Sequence, residues 1–352
     1  DKPKVNRKVN PAPRPRPANK PPAQVIRPPN KSIVILYNNP TYRQPSTKST
    51  VEALKKAGYS VSHDVCSKFS TYLARRPRAI IMWEEHSCLF MTRGRRMQIR
   101  QCYESGVVPI SIDFAYFDHY NCIILDRYEP NGDSSIHSSW NSLPTKMVDI
   151  PKWLKTWWDQ TEADLATAVE FGPVLDEPYV AIFPSFSSAL ARPPFKTSNI
   201  SGWIVRACEE VHKRGYRPLV KFGKLPIVRQ STKLPPYACE ETNTDTITNA
   251  RVAAHAHNNV ILSSSVSYIM TLLGAPLTAT GKSWYTGLGI FYEPDSWDKI
   301  VDPHPINHDA RTKWINWWLL NSGTHEHVVN VVLPKILARG DEIIETMRRK
   351  KR

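Results

Sequence analysis

Three consecutive serines, Ser263-Ser264-Ser265, close the apolar stretch Val260-Ile261-Leu262 and stand where a helical pattern begins. Hydroxyls beside the free N–H groups of a helix start favour negative charge, so this spacing suits a phosphate. Gly274-Ala275-Pro276 then makes a tight return, and Gly281, Lys282 and Tyr285 follow the carboxyl end of the next strand. The plainer alternative is that the serines only cap the helix and Pro276 only ends it. His255 and His257 lie just upstream. At i, i+2 they share no helix face, which argues against a two-histidine metal site, though one of them can still reach a bound ligand.

A second group of residues suits proton transfer. Glu84, Glu85 and His86 follow the apolar run 79–83, and Asp113 and Asp118 follow the run 107–112. A carboxylate at the carboxyl end of a strand is well placed to take a proton from a hydroxyl. Solvated loop charges or helix caps would look the same in sequence. Arginines form two clusters, Arg75, Arg76 and Arg78, and then Arg93, Arg95, Arg96 and Arg100. On a helix Arg93, Arg96 and Arg100 share one face, a stripe suited to the phosphates of a nucleic acid. They also fit ordinary surface charge, or contacts to an anionic glycan or lipid headgroup. Trp314, Trp317 and Trp318, at i, i+3, i+4, read as a packing stripe rather than a base-stacking platform.

Parallel sheets are the elements that would position these groups. Ser32 to Tyr37 is a continuous apolar run, as a buried parallel strand requires. A helix at 50–57 ending at Gly58, a helix near 66–75, a strand at 79–83, a helix at 92–105 ending at Gly106 and a strand at 107–112 follow in order. A second series begins with the strand 179–183 and a helix at 199–214 closed by Gly215. It continues with strands at 218–222, 260–262 and 276–279 and helices at 246–256 and 265–273. The expected fold class is α/β, with two Rossmann-like domains and a cleft between them. The domains are placed at 32–150 and 178–306, with a tryptophan-bearing linker or helix at 151–177 and C-terminal helices at 307–347.

The 352 residues allow two domains with sizeable cores. The net charge of +15 is uneven: residues 1–31 carry nine Lys or Arg and one Asp, and 348–352 are all basic, leaving the body close to neutral. Nine prolines in 1–31 imply a disordered arm, and such arms fit a polyanion partner or merely aid solubility. No apolar run is long enough for a membrane span, and the basic start lacks the apolar stretch of a secretory signal. The absence of an initial Met suggests that an upstream piece was trimmed or omitted. Six cysteines without CxxC or zinc-like spacing read as reduced thiols, so a cytoplasmic location is expected, a host cytoplasm if the gene is a phage's.

The run 255–289 resembles the core of capsular-polysaccharide glycosyltransferases, the group that includes bacterial Kdo transferases. The likeness falls on Ser263-Ser264-Ser265, on Leu272-Leu273-Gly274-Ala275-Pro276 and on Gly281-Lys282-Ser283-Trp284-Tyr285. Two further stretches match the family's pattern in order, Gly106 to Tyr116 and Pro218 to Lys224. Asp113 replaces the family's Glu, Ala115 its Gly and Asp118 a common Arg, and the third motif lacks its His-Pro.

The resemblance implies a GT-B fold and transfer from a nucleotide sugar, with UDP and CMP both open and no prosthetic group. Lys221 and Lys282 would neutralise the phosphate leaving group, Ser263 to Ser265 would hold it, and Tyr285 and His257 would complete the donor side. Asp113 would be the base of an inverting, metal-independent reaction, with Glu84, Glu85 and Asp118 as other candidates. Together with the arginines and basic tails, the implied acceptor is a hydroxymethylated base in duplex DNA, as in phage DNA-modifying transferases. A capsule or cell-wall glycan, or a non-catalytic nucleic-acid binder on the same scaffold, are the alternatives. Oligomeric state is left open.

Overall fold

The computed structural model describes residues 30–37, 45–83, 93–114, 122–130, 134–185, 187–223, 225–264, 266–283 and 285–351. The chain divides into Asp1–Asn30 and Lys31–Arg352, and every element described lies in the second unit. The expected proline-rich arm thus lies almost wholly outside the described residues.

Both expected sheets are present. The first begins with β1 (Ser32–Tyr37), α1 (Pro45–Lys56), β2 (Ser60–Val65), α2 (Phe69–Ala74) and β3 (Ala79–Trp83). It continues through α3 (Arg93–Glu104), β4 (Val108–Phe114), β5 (Cys122–Arg127) and the short α4 (Ser135–Ser139). Then α5 (Lys152–Glu170) leads to the second series: β6 (Tyr179–Phe183), α6 (Ile200–Lys213), β7 (Arg217–Lys221), α7 (Pro226–Ser231), β8 (Cys239–Glu241), α8 (Thr246–His255), β9 (Asn258–Ile261), α9 (Val266–Leu273) and β10 (Leu277–Ala279). The chain finishes with α10 (His308–Asn321), β11 (Ser322–Thr324), the single turn α11 (His325–His327), a π turn at Val328–Val332, and α12 (Leu333–Lys351).

The second sheet has the order β10-β9-β6-β7-β8, all parallel. Counted within that half, this is the 3-2-1-4-5 order of a Rossmann fold, with its switch point between β6 and β9. The first sheet has the order β11-β5-β4-β3-β1-β2, parallel from β2 to β4. β5 and β11 extend it antiparallel. Neither strand was among the expected elements, although Cys122 to Leu125 of β5 is an apolar run. β11 is the three residues Ser-Gly-Thr, with no apolar signal, and exists because the C-terminal return lays it beside β5.

The apolar runs behave as buried parallel strands should. β1, β3 and β6 are buried almost throughout; β1 and β3 fill one core, and β6 divides its side chains between two others. The expected linker contains a 19-residue helix, α5, whose Leu165 and Ala168 pack on Ala250 of α8. Trp314, Trp317 and Trp318 are core residues, grouped with Tyr268 and Phe291. Beyond β11 the chain stays with the first sheet, where Val328, Val332, Leu333 and Ile336 join the β1, β3 and β4 core. α12 carries the basic run as far as Lys351, so those charges extend the last helix.

Candidate functional site

In an open parallel sheet, ligands bind beyond the carboxyl ends of the strands, at the switch point. Strand register fixes what stands there. Lys221, Phe183, Ile261 and Ala279 form one row across β7, β6, β9 and β10. Ser185 lies two residues past the end of β6, Ser263 and Ser264 lie past β9, and Thr280, Gly281 and Lys282 lie past β10. The structure therefore brings Lys221, Ser263, Ser264 and Lys282 to a single edge.

Lys221 is the unusual member. It is only 3% exposed, and its Nζ has no hydrogen-bond partner among the described residues. Burial pulls its pKa down, while Glu241 on β8 and Asp245 at the start of α8 push it up from beyond ion-pair distance. Asp245 is itself occupied, capping α8 through Thr248 N at 2.7 Å. A buried ammonium without a partner is costly, and an incoming anion would relieve that cost.

Around it the loops are closely packed. A Cβ on Gly281 would lie 1.5 Å from the Leu262 carbonyl oxygen, so only glycine allows the chain after β10 to pass this close to β9. Thr280 donates its Oγ1–H to the Ile261 carbonyl at 2.9 Å, fixing the same crossing. Ser264 does act as a cap: its Oγ accepts from Val266 N at 3.3 Å. Ser263 is half-buried and Lys282 exposed. The Lys282 N–H donates to the Leu190 carbonyl at 2.7 Å, leaving its ammonium at the rim. Tyr285 is a core residue, 4% exposed, set edge-on against Phe291. Burial pushes its phenol up to about 12, against hydrogen bonds with Ser283 and Ser267 that act the other way. Ser265 lies outside the described residues.

His257 is not brought to this group. It immediately precedes β9, at the amino-terminal edge of the sheet, where its ring stacks on Tyr216 with centroids 4.1 Å apart. Burial lowers its pKa, with Asp302 opposing. Sequence reading missed Ser185, which is 5% exposed, and Thr280, which is fully buried. A short polar residue just past a strand carries too weak a signal to be singled out.

On the first sheet, Glu84, Glu85 and Asp118 lie outside the described residues. Asp113 is half-buried, one residue before the end of β4, and pairs across to Ile124. At the same edge His325, unmarked in the sequence, hydrogen-bonds Thr50 of α1 through Nδ1 at 2.9 Å. Its Nε2 is buried without a partner among the described residues, and burial lowers its pKa. Several of the arginines already have partners. Arg75 sits over the Tyr72 ring, and Arg78 makes a two-pronged ion pair with Asp341 of α12. Both lie with Arg76 just before β3, at the amino-terminal edge. Arg100 pairs with Glu104 at 3.2 Å, and Arg96 is exposed. Arg93 opens α3, with its side chain outside what is described.

No protein-family model matches the chain, and no curated protein matches it in sequence. Among solved structures it is similar to Thermosulfurimonas dismutans KpsC, beta Kdo 2,7 transferase, at 9% identity and a TM-score of 0.48, covering 87% of this chain and 99% of that one. It is similar also to Thermosulfurimonas dismutans KpsC, beta Kdo 2,4 transferase, at 11% identity and a TM-score of 0.47, covering 81% and 90%. A UDP-GlcNAc 2-epimerase from Neisseria meningitidis, bound to UDP-GlcNAc, matches at 10% identity with a TM-score of 0.29, over 90% and 100%. Identities this low and TM-scores under 0.5 leave the chemistry to be argued from this chain's own residues.

Proposed function

We propose that this chain is a glycosyltransferase that takes a sugar from a nucleotide-activated donor held at the carboxyl edge of the second sheet. The observation that carries the reading is Lys221, buried at the switch-point edge with no partner for its ammonium among the described residues. A donor phosphate supplies the missing charge. Ser263, Ser264 and Ser265 contribute hydroxyls and N–H groups, and Lys282 closes the rim.

In the reaction the acceptor oxygen bonds to the anomeric carbon as the bond from that carbon to the phosphate oxygen breaks. The electron pair leaves with the phosphate, where Lys221 stabilises the developing charge in a dry site. Asp113 receives the acceptor proton, and the outcome is inversion without a metal. Nucleotides of the UDP and CMP kinds both fit a site defined by phosphate alone.

For the acceptor we propose a hydroxymethylated base in duplex DNA, supported by the basic residues of 1–31 and 348–352. The ion pairs of Arg78 and Arg100 favour a second reading, a capsule or cell-wall glycan, because those arginines already have partners. The test incubates the protein with a panel of nucleotide sugars, with and without hydroxymethylated duplex DNA, following nucleotide release and DNA mass. Release that depends on DNA, with a sugar-sized mass gain, supports the first acceptor. Donor protection without a DNA product moves the acceptor to a glycan. A chain that binds no nucleotide sugar is not a transferase of this kind.

A further inference from the structure

A cavity of about 380 Å³ lies between α5 and α10, lined among others by Trp158, Thr161 and Leu165 on one side and Arg311 and Ile315 on the other. It is remote from the phosphate edge. Its lining residue Leu272 lies in the last turn of α9, while Ser264 caps the start of that helix, and eight helical residues span roughly 12 Å. The third wall, Met147, Val148 and Ile150, is tied to α10. Asn316 of α10 donates to the Pro144 and Lys146 carbonyls at 2.9 and 2.7 Å and accepts from Val148 N at 2.9 Å.

The walls are mostly apolar, yet one of them presents a cation. Arg311 donates from Nη2 to the Leu272 carbonyl, and its Nε is buried with no partner among the described residues. Among the described residues no carboxylate offsets the effect of burial on this guanidinium, and burial lowers its pKa. Glu162, exposed at the rim, discourages a doubly charged ligand. Pockets of this size and lining bind small molecules whose bulk is apolar and whose orientation is set by one polar group.

We infer that this cavity is a second ligand site, for a small amphiphile with an apolar tail and a single carboxylate head that pairs with Arg311. The tail lies along Trp158 and Leu165, and the head neutralises a cation that has no counter-charge among the described residues.

Calorimetry on the full chain tests this with decanoate, decanol and decyltrimethylammonium, each below its micelle concentration. One-to-one decanoate binding is expected, with decanol at least about tenfold weaker and the cation weaker still. Val148→Phe, which fills the cavity without removing a polar group, should abolish decanoate binding. Arg311→Gln should bring decanoate down to the level of decanol. If Arg311→Gln does not fold, the preference of the unaltered chain and the Val148→Phe result still decide. Equal binding of decanoate and decanol, survival of binding in Val148→Phe, or no binding at all would overturn the assignment. Saturating nucleotide sugar should leave decanoate affinity unchanged, so failure here and failure of the transferase reading are separately visible.

Discussion

Replacing Lys221 by Met should stabilise the ligand-free protein while removing its hold on the donor. The side chain is 3% exposed, and its Nζ has no hydrogen-bond partner among the described residues. A buried polar group left in that state costs about 1–3 kcal/mol, and a thioether of similar length fills the same space. Unfolding entropy near 2 cal/mol/K per residue converts that gain to a rise of roughly 1.5–5 °C in Tm for a body of this size. Truncating one partner of a buried charge pair costs about 2–5 kcal/mol, so nucleotide-sugar affinity should fall at least about thirtyfold. Scanning calorimetry of the two proteins, with and without a nucleotide sugar, reads both effects. The unaltered protein should gain Tm on adding donor and Lys221→Met should not. A variant that melts below the parent, or keeps its donor-induced shift, refutes the idea that Lys221 waits for a phosphate.

Three further outcomes follow from the same geometry. Gly281→Ala should cost about 3 kcal/mol or more in a urea titration, because the new Cβ meets the Leu262 backbone oxygen rather than a movable side chain; a loss under about 1 kcal/mol would mean that the crossing is looser than described. Arg78→Ala should cost about 1 kcal/mol by losing its two-pronged pair with Asp341, yet leave retention on duplex DNA unchanged at every salt concentration, and a flatter salt slope would return Arg78 to the phosphate-contacting surface. Burial holds the His325 pKa below its ordinary value, so its contribution to stability is full above about pH 6.5 and is lost as pH falls toward the folded value. Asp126 acts in the opposite sense: burial raises it to about 6 despite hydrogen bonds from Ser134 and Ser135, so its contribution is lost as pH rises through 6. The urea midpoint of His325→Gln should therefore drop less than the parent's between pH 7.5 and 5.5, and equal drops would exclude His325 as a source.

What the sequence made legible was local. Ile33 to Leu36 and Tyr179 to Phe183 are strands because both faces are buried, which a continuous apolar run announces. The helices ending before Gly58, Gly106 and Gly215 stop where each glycine adopts a positive φ. What was not legible depended on contacts made at a distance. Strand β11 needs β5, and His325 matters only because α1 brings Thr50 beside it. The arginines show the same limit. Spacing showed that Arg93, Arg96 and Arg100 share a helix face, but the ion pair of Arg78 with Asp341, 263 residues away, cannot be read from spacing.

The serines show where local and distant causes meet. A serine run before a helix is ambiguous between cap and ligand site, and Ser264 does cap α9. The ambiguity lifts only when the strand order is known. The order 3-2-1-4-5 puts the end of β9 next to the end of β6, at the switch point, with Lys221 one strand further on. Polar groups there are satisfied unevenly: Thr280 and Asp245 are committed to backbone, while the ammonium among them is not. If Lys221 were needed only to hold the sheet together, a buried apolar side chain would serve better at that position. Its retention at the edge where an open α/β sheet takes its ligand is why the donor is placed there.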